Sequence, residues 1–424
     1  MKYIRRNVLD LILPRFNQEN IISITGPRQA GKTTLCEVLI PQLLELPLSY
    51  ISFDDPDERL RFQRSAVSIL ESLDTPLVIL DEIQKMPSIF DPLKYVADQQ
   101  KKRQDSHKKT FIITGSSRLI LIKNIRETLA GRVALFDLYP FSLSEIVNHT
   151  EPVVLTSLWQ QDMIISDLER KFHLLPPEKT RERMAKAHEH RTWGGYPPVW
   201  QRTDQIDKLN WLKDYRRTYM ERDLYDVGQV ADIDAFAMVQ KLLCARTAQI
   251  LSLSEVARDV SLAVNTVKRY LQMLAASFQC FLLQPYYENV GKRFIKSPKL
   301  YFLDTGLIKA LLGEMSISSG ALYENWVLVE LIKWKQLQRI EPDLFFYRTS
   351  GGMEIDFLIA GEGGILPIEI KSSESVSAAD GRALEAFLSS HAKVAKLGLI
   401  VYPGREMKEV RKNIWAMPDW FLLV

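Results

Sequence analysis

The 424-residue chain predicts an α/β fold: a parallel sheet between helices, followed by helical and further sheet-bearing segments. Three observations lead there. Short apolar strands at 21–25, 49–53, 77–81, 111–114 and 133–138 alternate with amphipathic stretches. Directly after the first strand, residues 26–33 read Gly-Pro-Arg-Gln-Ala-Gly-Lys-Thr. The third strand, Leu77-Val78-Ile79-Leu80, leads into Asp81 and Glu82.

Residues 1–20 read as a lead-in helix, and Ile21–Thr25 as a buried β-branched strand. The next loop is a complete G-x-x-x-x-G-K-[ST] motif, expected to cradle phosphates with Gly26, Pro27, Arg28, Gln29, Ala30, Gly31, Lys32, Thr33 and Thr34. Its glycines let the backbone curl, and the helix after it adds a partial positive charge. Lys32 is expected on the β- and γ-phosphates and Thr33 on Mg²⁺, so ATP and Mg²⁺ are the expected cofactors. Asp81, at the carboxyl end of its strand, is the candidate to hold Mg²⁺ through water. Glu82 is the candidate to polarise the attacking water. The strand Phe111–Thr114 ends in Gly115-Ser116-Ser117-Arg118, and Ser116 is the candidate contact to the γ-phosphate or that water. In Leu129-Ala130-Gly131-Arg132-Val133, Arg132 is the candidate finger on a neighbouring subunit's nucleotide, with Arg126 the runner-up. A finger acting in trans requires self-association, in a ring or another homo-oligomer.

Composition sets the limits. Hydrophobic content of 46% and charged content of 25% are those of an ordinary globular protein. A net charge of +3 is too small to indicate nucleic acid by itself. Cys36, Cys244 and Cys280 form no C-x-x-C, which argues against a disulfide framework or a cysteine zinc site. No apolar stretch approaches membrane-spanning length, and Asp10 and Pro14 interrupt the amino-terminal apolar run. A cytoplasmic protein with no membrane partner is the expectation.

The loop, LVILDE, TGSS and the AGR-V-x-L-x-x-L-Y-P-F-S-L-x-E stretch together resemble the core of AAA-type ATPases. More specifically, they resemble the bacterial and archaeal ATPase family whose C-terminal part is the domain of unknown function 4143. Trp193-Gly194-Gly195-Tyr196-Pro197 is similar to that family's GGYP segment, placed in a lid region. The resemblance covers nearly the whole chain. It implies an AAA-type core over 1–150 and a helical lid over 151–245, with ATP state coupled to the downstream domains.

Downstream, Leu253–Val260 reads as a short helix, and Asn265–Leu274 as a second one with Val267, Tyr270, Leu271 and Leu274 on one face. Strand-like runs at 281–283 and 299–303 flank Gly291-Lys292-Arg293-Phe294-Ile295-Lys296, a candidate basic wing. A winged helix-turn-helix is therefore expected over 246–303. Its partner is DNA or a docked protein, and the pattern leaves both open.

The last segment, 304–424, combines an amphipathic helix around Leu322–Leu331 with strands at 345–348, 354–359 and 366–371. Residues two apart on a strand share a face, so Glu369 and Lys371 point together. This resembles the restriction-endonuclease-like PD-(D/E)xK core. By that resemblance Asp356, Glu369 and Glu324 would bind Mg²⁺, and Lys371 would orient the attacking water. The match departs from the motif in that no proline precedes Asp356 and Glu354 is an additional acid. The expected function is ATP hydrolysis coupled to remodelling of DNA or a nucleoprotein. Two alternatives stay open: an ATP-regulated structure-specific nuclease, and a STAND-like signalling or scaffold ATPase whose nuclease fold is inactive.

Overall fold

The computed structural model describes residues 3–103, 109–116, 118–148, 151–161, 163–227, 232–287, 297–313 and 317–424. The chain divides into two compact units, Met1–Pro140 with Ala276–Phe278, and Phe141–Ala275 with Gln279–Val424. Apart from Ala276–Phe278, the segments expected at 151–245, 246–303 and 304–424 thus fall together in the second unit.

In the first unit, strands β1 (Ile21–Thr25), β2 (Leu48–Ser52), β3 (Leu77–Asp81), β4 (Thr110–Gly115) and β5 (Val133–Asp137) form a sheet in the order β2-β3-β4-β1-β5. All four pairings are parallel. The central strands β1, β3 and β4 are buried along their length, which explains why they read as unbroken apolar runs. Alternate residues feed opposite faces. Val78, Leu80, Phe111 and Ile113 pack with Phe62, Leu93 and Leu121, while Ile22, Ile24, Ile79 and Ile112 pack with Leu9, Leu35 and Ile40. The helix Pro56–Ser72 starts where Asp55 accepts the Asp57 N–H at 2.8 Å and Pro56 takes the first turn.

The second unit opens with Phe141 and a capping box. Ser142 Oγ accepts the Glu145 N–H at 3.2 Å, and Glu145 accepts the Ser142 N–H at 3.0 Å, starting the helix Leu143–Ile146. Helices Val153–Gln160, Ile165–His173, Pro177–Trp193, Pro197–Trp200, Gln205–Val227 and Ile233–Ala245 come next. Trp193, Tyr196, Leu212 and Tyr215 share a core with Leu307 and Ala310, so the helices expected as a lid pack on the helix Thr305–Leu312.

The helix-turn-helix pair is Leu253–Asp259 and Val264–Ala276, longer at both ends of its second helix than the sequence suggests. Ser252 caps the first helix by accepting the Glu255 N–H. Val267, Tyr270, Leu271 and Leu274 are buried as their spacing requires. The candidate wing at 291–296 lies outside the described residues. Strands β6 (Gln249–Ile250), β7 (Cys280–Pro285) and β8 (Lys299–Phe302) do not stand apart from the C-terminal sheet. Parallel pairing of β7 with β9 (Asp343–Arg348), Gln284 opposite Phe345, joins them to β10 (Glu354–Gly361), β11 (Gly364–Ile370), β12 (Gly398–Tyr402), β13 (Lys408–Arg411) and β14 (Ile414–Pro418). The order is β13-β14-β12-β11-β10-β9-β7-β8-β6 among the described residues.

The helix Ser319–Lys335 is buried from Asn325 to Trp334, polar residues included. Each of these polar groups is bonded, as burial demands. Asn325 exchanges two 2.8 Å bonds with the Phe302 backbone. Lys333 Nζ donates to Glu330 Oε1 and to the Phe141 carbonyl, both at 2.8 Å, and Glu330 Oε2 accepts the Leu143 N–H at 2.7 Å. Trp326 donates to His190 Nδ1 at 2.9 Å. An indole N–H can only donate, so Nδ1 accepts, and Nε2 carries the proton that reaches the Phe141 carbonyl at 2.9 Å. The GGYP segment is drawn into the same knot. Phe141 N–H donates to the Gly195 carbonyl at 2.8 Å, and a Cβ on Gly195 would lie 2.2 Å from the Phe141 oxygen. Gly194 has φ +73°, and a Cβ there would meet Asp304 at 2.1 Å. Two successive glycines are therefore a packing requirement of this corner.

Burial pushes the His190 pKa down from 6.5 to about 4, with Glu330 and Lys333 the charges facing it. Folding thus favours the neutral ring, and the unfolded chain binds more protons between pH 6.5 and about 4. The contribution of this histidine to stability is complete above that window and lost as pH falls through it, by about 3 kcal/mol. Asp304, Asp419, Glu324 and Glu369, raised by burial, titrate with the opposite sign in this range, so the histidine shows in a difference: by urea denaturation, the stability gap between wild type and His190→Gln should shrink as pH falls through the window.

Candidate functional site

The register sets the ends of β1, β3 and β4 level, with Thr25 opposite Gly115 and Leu80 opposite Ile113. Three candidate segments therefore leave the sheet side by side, at the carboxyl ends where α/β sheets place ligands. After β1 the loop curls through two left-handed residues, Gln29 (φ +62°) and Gly31 (φ +97°), into the helical turn Lys32–Thr34. Gly26 passes so close to Leu138 that a Cβ would lie 2.2 Å from its carbonyl oxygen. A π-helical turn, Leu35–Leu39, continues the helix to Ile40–Leu44. Arg6 braces the loop through the Ala30 carbonyl at 2.8 Å. Lys32 is buried, and its ammonium donates to the carbonyls of Gly26 at 2.9 Å and Pro27 at 3.0 Å. Thr33 is exposed beside it.

Asp81 is held at both oxygens. Tyr50 donates to Oδ2 at 2.6 Å, and Thr114 donates to Oδ1. Burial, then Asp81, pushes the Tyr50 phenol pKa up, so it stays a donor at neutral pH. Glu82 comes next, in the left-handed region at φ +51°, a costly conformation for a non-glycine residue. Its Oε2 accepts from Ser116 Oγ at 3.1 Å and from the Gln84 amide. Gly115 makes room for this, because a Cβ there would lie 2.4 Å from Gln84 Oε1. Glu82 and Ser116, candidates from separate strands, thus meet. Cys36 is a buried free thiol beneath the loop, its pKa raised by burial and then by Asp81.

Arg132 and Asp98 form a two-pronged ion pair within the chain, Nε at 2.8 Å and Nη2 at 3.2 Å. Arg132 thereby keeps Asp98 below the usual carboxylate pKa. Arg126, in the last turn of the helix Arg118–Thr128, is exposed.

A second cluster lies within the second unit. Glu324 from the helix Ser319–Lys335, Asp356 from β10 and Glu369 from β11 lie within one another's electrostatic reach. Burial, and then Asp356, raises Glu324 and Glu369 each to about 7. Burial also raises Asp356, whose Oδ2 accepts the Ile370 N–H at 2.8 Å. Lys371 Nζ donates to Glu369 Oε1 at 2.8 Å, on the shared face that the strand spacing requires. Two residues that the sequence did not single out complete the cluster. Lys299 Nζ lies 3.2 Å from Glu324 Oε1 and 2.5 Å from Glu354 Oε1, and Tyr301 donates to Glu324 Oε1 at 2.6 Å. Burial alone lowers Lys299, but Glu324, Asp356 and Glu354 outweigh it and hold its pKa above the lysine norm. Among the described residues, no three His, Cys, Asp or Glu side chains group to hold a metal ion.

Tyr50, Thr114 and Gln84 were likewise missed around the first site. Thr114 stands at the end of the apolar run that carries TGSS, a usable signal. Tyr50 comes from the edge strand β2 and Lys299 from β8, with no motif around either. Each hydroxyl on Asp81 aims a charged oxygen, an interaction worth about 1.5–3 kcal/mol. Tyr50→Phe should therefore raise the Mg²⁺ concentration for half-maximal ATP turnover by about tenfold, with thermal stability little changed. Mn²⁺ uptake in the presence of ATP, read by electron paramagnetic resonance, should weaken in parallel.

Three family models match in succession: an AAA domain over residues 18–147, a domain of unknown function (DUF8612) over 184–317, and a domain of unknown function (DUF4143) over 319–422. An uncharacterized protein of Mycobacterium tuberculosis is 27% identical over 421 residues, covering 98% of this chain and 83% of its own. An uncharacterized protein of Methanocaldococcus jannaschii is 25% identical over 369 residues, covering 85% and 76%. Among solved structures, the Aeropyrum pernix ORC2 protein in its ADP form aligns at 16% identity and TM-score 0.34, over 66% of this chain and 87% of that one. AMPPCP-bound DnaA from Aquifex aeolicus aligns at 14% identity and TM-score 0.27, over 65% and 89%. Among the described residues, no helix is long and apolar enough to cross a membrane. The chain thus carries an AAA domain at 18–147 and the domain of unknown function 4143 at 319–422, the pairing that its motifs implied.

Proposed function

We propose that the chain is an ATP-driven motor whose second unit engages DNA or a nucleoprotein. The observation that carries this reading is the meeting of the phosphate loop, Asp81, Glu82 and Ser116 at adjacent strand ends. The donor set suits Mg·ATP. Lys32 donates to loop carbonyls that phosphate oxygens can replace, and Asp81 is oriented by neutral hydroxyls that leave its charge uncancelled. Thr33 and Asp81 would hold Mg²⁺, which when bound neutralises charge developing on the phosphates.

In this reading the loop amides orient the triphosphate, and Lys32 draws the γ-phosphate. Glu82 accepts a hydrogen bond from the attacking water and polarises it. Ser116, bonded to Glu82, fixes the direction of that carboxylate. Arg132 serves a neighbouring copy as a finger, with Asp98 holding the guanidinium in one orientation. The helix Val264–Ala276 turns Asn265, Lys268, Arg269 and Gln272 to solvent, a polar edge suited to phosphates and base edges. Binding through that edge would be salt-dependent.

Steady-state ATP turnover with and without duplex DNA tests the reading. DNA should stimulate turnover in the wild type, and Lys32→Ala should abolish both basal and stimulated rates. Arg132→Ala should lower turnover with nucleotide affinity unchanged. Turnover no faster than that of Glu82→Gln would refute the motor, and turnover indifferent to DNA would favour the scaffold alternative.

A further inference from the structure

The PD-(D/E)xK resemblance assigns Glu324 to a divalent cation. The residues around Glu324 disagree. Its Oε1 already accepts from two groups, the Lys299 ammonium at 3.2 Å and the Tyr301 hydroxyl at 2.6 Å. The Lys299 side chain is only 5% exposed, and its head also lies 2.5 Å from Glu354 Oε1. Lys299 stands on β8, between β7 and β6, and reaches the helix and β10 from the side.

We infer that Lys299 is a resident cation: its ammonium takes the position beside Glu324 that the resemblance gives to a metal ion. An ammonium and a divalent ion compete for the same oxygens. A divalent ion on Glu324 Oε1 would stand next to the Lys299 ammonium, and like charges at such range repel strongly in a buried setting. Lys299 is covalently tied, so it competes at a fixed local concentration that no metal titration dilutes. Glu324 is thereby withdrawn from any metal set while β8 is seated. The carboxylate of Glu324 then has a structural role, linking β8 to the helix Ser319–Lys335 through Lys299 and Tyr301. Two-metal phosphodiester chemistry needs ions on both sides of the scissile phosphate, and this arrangement leaves Glu324 unable to ligate one of them.

The inference is independent of the nucleotide site, and its test omits nucleotide. Mn²⁺ uptake by the full chain, followed by electron paramagnetic resonance, is compared in wild type, Glu324→Gln, Lys299→Met and the double variant. Glu324→Gln should leave wild-type uptake unchanged. Lys299→Met should bind one more ion per chain than wild type, and Glu324→Gln in that background should remove it. Lower uptake in Glu324→Gln alone would overturn the inference, as would a folded Lys299→Met that gains no ion. Should Lys299→Met fail to fold, Lys299→Gln replaces it, with circular dichroism as the folding control, and the Glu324→Gln comparison in the wild type stands by itself.

Discussion

A buried ammonium group must be surrounded by oxygen atoms, and this requirement organises both units of the protein. Lys32, Lys299 and Lys333 are each at least nine-tenths buried. Their surroundings differ. Lys299 and Lys333 lie against carboxylates, Glu324 and Glu354 for one and Glu330 for the other. Removing one partner of such a pair strands a charge, which costs about 3–5 kcal/mol, so these lysines fasten elements together. Lys32 donates instead to the carbonyls of Gly26 and Pro27. A neutral carbonyl can be exchanged for a phosphate oxygen, and the exchange gains a full charge interaction.

The same contrast explains why the motif-bearing segments look as they do. Phe141, the first residue of the second unit, is bound at once by Lys333, His190 and Gly195. The Y-P-F-S-L-x-E stretch is therefore a fastening, with Ser142 and Glu145 closing a capping box and Phe141 offering its carbonyl to two buried donors. The GGYP segment belongs to that fastening, since neither glycine has room for a side chain. Phe141 is thus fixed by three groups of its own unit.

The sheet of the first unit was legible because its signals are local. An apolar β-branched run, a glycine-bearing loop and an acidic strand end each declare themselves within a few residues. Glu369 and Lys371 were legible for the same reason, since the two-residue period of a strand puts them on one face. The division of the remaining chain was not legible. It depends on β7 pairing with β9, far along the chain, and nothing near Gln284 or Phe345 announces that partnership. Lys299 escaped notice because its partners come from the helix Ser319–Lys335 and from β10, brought near only by the tertiary fold. His190 escaped because a lone histidine in a polar helix gives no hint of a tryptophan donor at Trp326.

Nucleotide capture by the phosphate loop underlies every functional step, and calorimetry reaches it most directly. A non-hydrolysable ATP analogue titrated into the folded chain with Mg²⁺ should bind one per chain, and Lys32→Ala, equally folded, should show no binding. Absence of uptake by the folded wild type, or uptake undiminished in Lys32→Ala, would contradict it.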